Sequence, residues 1–185
     1  MLMDMPPEPL GDDLLATAAA AGDRAAFSAL IQRHYDRVQG LAWRLTGNPA
    51  EAQDLAQDIF AALPAKLRHW RAEARFSTWL YRVVVNAAHD LRRRQATRSK
   101  AADGWGDWEL ARQDEIVEER ERLDWLTQAM ARLSPELRDT VALVLGEDLT
   151  QAQAGEVLGL SEGTIAWRMA EVRKRLRLMA KEGAR

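Results

Sequence analysis

Polar side chains at helical spacing in residues 76–94 are suited to binding an anion. Four of them recur three or four positions apart and would share one face of a helix: Arg82, Asn86, His89 and Arg93. Guanidinium, amide and imidazole groups donate hydrogen bonds, which phosphate oxygens accept. The segment ends in the run Arg92-Arg93-Arg94, which adds positive charge. This pattern predicts a face for a nucleic acid, although a single helix of this kind is also typical of a solvated surface.

The same segment carries an apolar stripe that would hold the helix on a core. The stripe consists of Leu80, Val84, Ala87 and Leu91, widened by Trp79, Val83 and Ala88. Ser77 is predicted to cap the helix, because its hydroxyl can accept a hydrogen bond from a free amide of the first turn. Trp79 is interpreted as a core residue because it falls within the stripe. Trp70 and Phe76 are the better candidates for stacking on bases.

Residues 150–178 contain the most specific pattern in the chain, that of a helix-turn-helix. Thr150 opens a capping box, Gly159 stands where the turn requires a left-handed residue, and Ser161 caps the second helix. The second helix has an apolar ladder of Ile165, Met169, Val172, Leu176 and Met179. Its outward positions include Glu162, Thr164, Trp167, Arg168, Arg173 and Lys174. Such a helix fits DNA readout, with base contacts near its start and phosphate contacts behind them. A helical hairpin with a solvated basic face is the plainer alternative.

Residues that could support catalysis or metal binding are not grouped in the sequence. His34, His69 and His89 are widely spaced, and neither a nucleophile elbow nor a phosphate-binding loop is present. The chain has no cysteine, which excludes disulfides and thiolate metal sites within it. We therefore predict that the protein is not an enzyme and needs neither a metal nor another cofactor.

Charge is distributed in blocks, although the whole chain carries a net charge of only −2. Residues 66–100 have 10 basic and 2 acidic side chains, and residues 161–185 have 7 and 3. Residues 101–124, which lie between them, have 3 basic and 9 acidic side chains. Two basic blocks separated by an acidic one predict two domains that each meet a polyanion. The chain has no apolar run of about 18 residues and no N-terminal signal pattern, so we expect a cytoplasmic protein.

Caps and apolar stripes predict an all-α protein, because no segment alternates like a strand. We expect two small helical domains, residues 1–97 and 119–185, with residues 1–11 disordered. Residues 98–118 are acidic and turn-rich, which predicts a flexible linker and two domains that move independently.

Local signals also predict where several helices begin and end. Asn48 is expected to cap a helix over residues 49–63, and Pro64 is expected to interrupt it near its end. This helix would bury Ala52, Leu55, Ile59 and Leu63 and display Asp54, Gln57, Asp58 and Ala61. Ser134 is predicted to cap a later helix that Gly146 ends.

Three motifs in this order resemble the bacterial extracytoplasmic-function (ECF) sigma factors. They are AEAQDLAQDIF (50–60), FSTWLYRVVVNAAHDLRRR (76–94) and LSPELRDTVALVLGEDLTQAQAGEVLGLSEGTIAWRMAEVRKRLR (133–177). The resemblance covers about residues 20–97 and 119–180. It implies a promoter-specificity subunit that binds core RNA polymerase, recognises the minus-35 and minus-10 promoter elements and directs transcription initiation. It further implies a stress or envelope-response regulon and control by an anti-sigma factor.

The resemblance also implies a role for individual residues. Core polymerase would be contacted by Asp54, Gln57 and Asp58, for which periodicity alone indicates only a solvated acidic face. The melted minus-10 strand would be bound by Trp70, Arg75, Phe76, Arg82, Asn86 and Arg93. The minus-35 duplex would be bound by Ser161, Glu162, Thr164, Trp167, Arg168, Arg173 and Lys174. Trp167 could contact a thymine methyl group, a sugar or a protein partner.

One alternative in the same field is a DNA-binding regulator that never contacts polymerase. Such a protein would require neither the face formed by Asp54, Gln57 and Asp58 nor an arginine-rich first domain.

Overall fold

The structure is a computed structural model and describes residues 11–99, 125 and 128–183. The regular secondary structure of these residues is helical. The helices are α1 (Asp12–Ala20), α2 (Arg24–Thr46), α3 (Pro49–Leu67), α4 (Phe76–Ser99), α5 (Pro135–Val144), α6 (Gln151–Leu158) and α7 (Glu162–Gly183). Residues 128–132 are also helical and precede α5. No strand occurs in these ranges, and the all-α prediction is confirmed. The predictions for residues 1–10 and for most of the linker fall outside the described residues.

The caps predicted at Asn48 and in the helix-turn-helix are present. The Asn48 side chain accepts hydrogen bonds from the amides of Ala50 and Glu51, at 2.9 and 3.1 Å. Thr150 and Gln153 form a complete capping box at the start of α6. Gly159 has a φ of 67°, which a residue with a side chain adopts only at a cost. These local interactions fix the ends of the helices that carry the functional side chains.

Helix α3 does not stop at Pro64, so the predicted interruption is wrong. The helix continues to Leu67 with the proline inside it. A proline removes one backbone donor and crowds the preceding turn, which usually ends a helix. Here Leu63 and Leu67 are both fully buried in the core, and this packing on either side of the proline offsets the lost bond.

The start of α4 also differs from the prediction that Ser77 caps it. The helix begins at Phe76, and the amide of Phe76 donates to Oδ1 of Asp13 at 2.6 Å. A side chain 63 residues away therefore supplies the cap. Local spacing cannot identify such a cap, because it exists only when α1 packs beside α4.

Helix α4 is buried over a wider surface than its apolar stripe predicts. Leu80, Val84 and Ala88 are buried as expected, whereas Ala87 and Leu91 are only partly covered. Tyr81 and Val85 are buried in addition. The helix packs on α2 and α3 and also on α6, so a second side of it is removed from water.

The second domain packs α7 on both α5 and α6. The predicted ladder of α7 is buried at Ile165, Met169, Val172 and Met179, and Leu176 is partly buried. A Cβ on Gly155 would lie 2.6 Å from the carbonyl oxygen of Leu160, so this glycine permits the close approach within the helix-turn-helix. Ser134 stands at the start of α5 as predicted, but its side chain makes no hydrogen bond to a first-turn amide.

The two domains contact each other in this structure, which the composition of the linker did not predict. Helix α2 lies against α5, and α4 lies against α6. Helix α4 extends to Ser99, slightly beyond the predicted start of the linker at residue 98.

Candidate nucleic-acid interface

Helix α3 presents a polar face to solvent. Asp54, Gln57 and Asp58 are all exposed, while the opposite side of the helix is buried in the core. We call these three residues the α3 acidic face. The structure thus groups them on one accessible surface, as a docking surface requires.

Three residues predicted to bind the minus-10 strand lie in the connection from α3 to α4 (Trp70 and Arg75) and at the first position of α4 (Phe76). Arg75 is exposed, and Trp70 is partly buried with its ring edge-on to Phe76, at a centroid distance of 6.1 Å. Phe76 itself is fully buried and also contacts the rings of His34 and Trp79. It therefore has no exposed surface for stacking on a base, and the prediction for Phe76 is corrected to a core role.

The polar stripe of α4 lies on one side of the helix as its spacing predicts. Arg82, Asn86 and Arg93 are exposed, and His89 is partly buried. We call these four residues the α4 polar face. Arg93 pairs with Asp90 on the same helix, and Arg82 donates to the carbonyl of Glu156 in the second domain at 2.7 Å. The face is rich in donors that phosphates could engage.

Helix α7 begins with a hydrogen-bonded turn. The Oγ of Ser161 accepts from the amide of Thr164 at 3.2 Å and lies 2.8 Å from its hydroxyl. Glu162 is exposed, and the Trp167 side chain is 65% exposed. An indole this exposed on a structured helix is typical of a contact surface.

The cations of α7 differ in their surroundings. Arg168 is partly buried, and its Nη1 lies 3.4 Å from the carbonyl oxygen of Glu136 in α5. Arg173 and Lys174 are exposed one turn further along. Arg168 therefore also helps to orient α7 on α5. The other two cations are exposed, and Nε of Arg173 donates to the carbonyl of Met169 on the same helix at 3.1 Å.

The sequence did not predict that two carboxylates of the second domain are buried and paired with cationic side chains of the first domain. Asp139 of α5 is bound by His89 and Arg92, and Glu147 is bound by Arg44. The Glu147 carboxylate also lies beside Tyr81. Burial, together with this negative charge and its hydrogen bond, raises the pKa of Tyr81 to about 12. In the sequence, Asp139 is recognisable only as an acidic residue within a mostly apolar helix. Helical spacing does not identify the residue that pairs with it.

Comparison with known proteins places both domains in one family. Residues 30–98 match the family model for sigma-70 region 2, and residues 129–178 match that for sigma-70 region 4. The ECF RNA polymerase sigma factor SigM of Mycobacterium tuberculosis is 35% identical, over 89% of this chain and 82% of its own length. The RNA polymerase sigma factor NccH of Alcaligenes xylosoxydans xylosoxydans is 31% identical over 91% and 94% of the two chains. This chain belongs to the ECF sigma factors.

Solved structures agree with this assignment. A complex of CnrH with the cytosolic domain of CnrY contains a chain that is 26% identical to this sigma factor. The two superpose with a TM-score of 0.70 over 92% of this chain and 97% of CnrH. The RpoE of Bartonella quintana, solved with the anti-sigma factor NepR, has the same fold at 21% identity, with a TM-score of 0.73.

As a sigma factor, the protein is the promoter-specificity subunit of RNA polymerase and binds core enzyme and promoter DNA. Region 2 contains the α3 acidic face and the α4 polar face, and region 4 contains the helix-turn-helix. No helix within residues 11–99 and 128–183 combines the length and the apolar character that crossing a bilayer requires.

Proposed function

We propose that each of the three surfaces described above has a separate role in transcription initiation. The α3 acidic face binds core polymerase. The α4 polar face, with Arg75 and Trp70, binds the melted minus-10 strand. Helix α7 reads the minus-35 duplex. The exposure of these polar side chains, opposite buried apolar stripes on the same helices, is the observation that supports this division. Phe76 is left out because it is buried.

The physical demands of the two DNA sites match the two groups of side chains. A melted strand exposes bases and flexible phosphates, which suit amide and guanidinium donors beside an aromatic ring. A duplex admits a helix into its major groove, where the first turns reach base edges and later cations meet phosphates. On α7, Glu162, Thr164 and Trp167 occupy the first turns, and Arg173 and Lys174 follow.

We further propose that the chain makes and breaks no covalent bond itself and acts in the cytoplasm, where the polymerase supplies the chemistry. Its control would come from a second protein. CnrH, which resembles this chain along nearly its whole length, was solved with the cytosolic domain of CnrY. By analogy, an anti-sigma factor would hold this sigma factor until an envelope or stress signal releases it.

Reconstitution tests the proposed function. The protein is mixed with bacterial core RNA polymerase and genomic DNA of its own source, and the 5′ ends of the transcripts are sequenced. We expect a set of start sites that core enzyme alone does not use, preceded by shared minus-35 and minus-10 sequences. Start sites identical to those of core enzyme alone would contradict the proposal. A protein with Trp167→Ala and Arg168→Ala serves as control. The start sites that it uses should no longer share a minus-35 sequence, while their minus-10 sequence should be retained.

A further inference from the structure

Helix α1 lies before the part of the chain that matches the sigma-70 region 2 family model. The match covers residues 30–98, whereas α1 spans Asp12–Ala20, so the family similarity assigns no role to this helix. The helix is nevertheless part of the core, because Leu15 and Ala16 are buried. It packs on α2, α3 and α4. Helix α1 is therefore placed to influence the connection between α3 and α4.

The carboxylate of Asp13 fixes the backbone at the start of α4. Its Oδ1 accepts a hydrogen bond from the amide of Phe76 at 2.6 Å. Phe76 is the first residue of α4, and an amide at that position has no acceptor within its own helix. Asp13 thus determines where the connection ends and the helix begins.

The neighbouring carboxylate, that of Asp12, fixes the side chain of Phe76 through a histidine. Asp12 accepts from Nη1 of Arg33 and lies 2.9 Å from Nε2 of His34, whose ring is buried. Because a carboxylate only accepts, Nε2 of His34 carries the proton, and this hydrogen bond orients the ring. The His34 ring meets the ring of Phe76 edge-on, at a centroid distance of 5.3 Å. Both acids of α1 therefore act on the same residue of α4.

The connection from α3 to α4 is held at its two ends. At one end the Trp70 amide donates to the carbonyl of Leu67 at 3.0 Å, and the Trp70 ring packs on Phe76. The other end is Phe76 itself. Between them Ala72 has a φ of 56°, which a residue with a side chain adopts only at a cost. Such a conformation persists where the surrounding structure fixes it, and here the fixed point is Phe76.

We propose that Asp12 and Asp13 are positioning residues for recognition of the minus-10 strand. By fixing Phe76 they set the shape of residues 70–75, and with it the places of the Trp70 ring and the Arg75 guanidinium group. Selection among bases requires groups that are held within about 0.5 Å. A loosened connection would still attract phosphates by charge but would distinguish bases less sharply. The effect on selectivity rests on the proposed minus-10 role of Trp70 and Arg75, whereas the bracing of the connection does not.

The first measurement tests the bracing without DNA, by amide hydrogen exchange of Phe76 followed by NMR. Asp13→Ala should raise its exchange rate at least fivefold, because the amide loses its acceptor. Asp13→Asn keeps an accepting oxygen at the same place and should stay within twofold of wild type. Equal rates in Asp13→Ala and wild type would overturn the bracing and leave the proposed function untouched.

Two further variants make this measurement decisive. Asp23→Ala is the matched control, because it removes another aspartate cap of the same domain, the one bonded to the amides of Ala25 and Ala26 in α2. It should leave the exchange of Phe76 within twofold of wild type. Asp12→Ala acts on Phe76 through His34 and keeps the proposal testable if Asp13→Ala does not fold. Circular dichroism establishes that each variant remains helical.

The second measurement tests selectivity in the reconstituted holoenzyme. A promoter identified by start-site mapping is randomised at its minus-10 positions in one library and at its minus-35 positions in another, and the transcripts are sequenced. Asp13→Ala and Asp12→Ala should each lower the preference for the best base at least fivefold at one or more minus-10 positions. Asp13→Asn and Asp23→Ala should change it less than twofold. All four variants should keep the wild-type preference at minus-35.

The two libraries separate the possible outcomes. Unchanged minus-10 selectivity in both alanine variants of α1 would overturn the positioning role. An equal loss at both promoter elements, or an equal loss in Asp23→Ala, would also overturn it, because a general loss of stability would explain such a result. Failure of the proposed function would instead appear in the wild-type protein, as transcripts that show no preference at any minus-10 position.

Discussion

Arg168 and Arg173 lie on one helix, but their surroundings predict different effects of their loss. Arg168 is near the start of α7 and is partly buried against α5, whereas Arg173 is exposed further along. A bidentate contact with a base edge is worth roughly 1–3 kcal/mol of discrimination. A phosphate contact instead contributes equally on every sequence and steepens the salt dependence.

We therefore expect Arg168→Ala to lower the preference for a cognate minus-35 duplex over a scrambled one. Arg173→Ala should weaken both duplexes alike and reduce the salt slope by about one. Fluorescence anisotropy at several salt concentrations measures both quantities. Because Arg168 also contacts the Glu136 carbonyl, Arg168→Lys is included as a control that keeps the charge. An Arg168→Ala protein with unchanged preference would exclude base readout by this residue.

Asn86 belongs to region 2 and should matter only when DNA strands separate. Its side chain is exposed on the α4 polar face, where an amide can hydrogen-bond an unpaired base. Asn86→Ala should leave binding of a minus-35 duplex unchanged and reduce open-complex formation, measured by permanganate reactivity of unpaired thymines. If Asn86→Ala opened promoters normally but abolished duplex binding, the assignment of strand melting to region 2 would be wrong.

At the scale of elements, α3 provides a test of core binding that does not involve DNA. The α3 acidic face is exposed, so charge reversal there should not disturb the buried side of the helix. Asp54→Lys with Asp58→Lys should weaken association with core polymerase about tenfold or more, which corresponds to roughly 1.4 kcal/mol. Asp36→Lys reverses an exposed charge on α2 and should have a much smaller effect. Equal affinities in a sedimentation titration would remove α3 from the interface.

The helix-turn-helix depends on Gly155, a glycine within α6 against which the turn packs closely. A Cβ at Gly155 would meet the Leu160 carbonyl at 2.6 Å, so Gly155→Ala should lower the free energy of unfolding of region 4 by about 1–3 kcal/mol. Gly163 lies in the first turn of α7, where the atom nearest to an added Cβ is the hydroxyl oxygen of Ser161 at 4.0 Å, so Gly163→Ala should be neutral or stabilising by up to about 1 kcal/mol. Thermal unfolding of both variants measures the contrast. Two equal melting temperatures would contradict this account of the turn.

At the scale of the molecule, Tyr81 makes the stability of the fold depend on alkaline pH. Its pKa is raised to about 12, first by burial and then by Glu147. The phenol is neutral in both the folded and the unfolded chain below pH 10, the ordinary pKa of tyrosine, so its contribution to stability is fully present there. Between pH 10 and 12 only the unfolded chain ionises readily, and about 2–3 kcal/mol of folding stability is lost across that interval.

The free energy of unfolding, measured with a chemical denaturant, should therefore begin to fall above pH 10. Tyr81→Phe should remove the part of this decrease that ionisation of Tyr81 causes. Absorbance at 295 nm of a Tyr35→Phe protein reports Tyr81 alone, because the chain has two tyrosines. A Tyr81 that ionises near pH 10 in the folded protein would contradict its burial beside Glu147.

Local pattern predicted much of this protein because many of its interactions are short in range. A cap joins a side chain to an amide two or three residues away, as Asn48, Thr150 and Ser161 do here. Helical spacing likewise fixes which side chains share a face. The exposed positions of α3 and the buried ladder of α7 could therefore be predicted from the sequence. The same local motifs carried the family resemblance.

Tertiary packing decided what local pattern could not. It supplied Asp13 as the cap of α4, kept α3 intact past Pro64, and buried Phe76 in an aromatic cluster. It also joined Asp139 and Glu147 to donors in the other domain. Each of these interactions links residues that meet only after distant helices have packed. Spacing along one helix identifies the face that a side chain occupies, but the neighbour that covers this face depends on the whole fold.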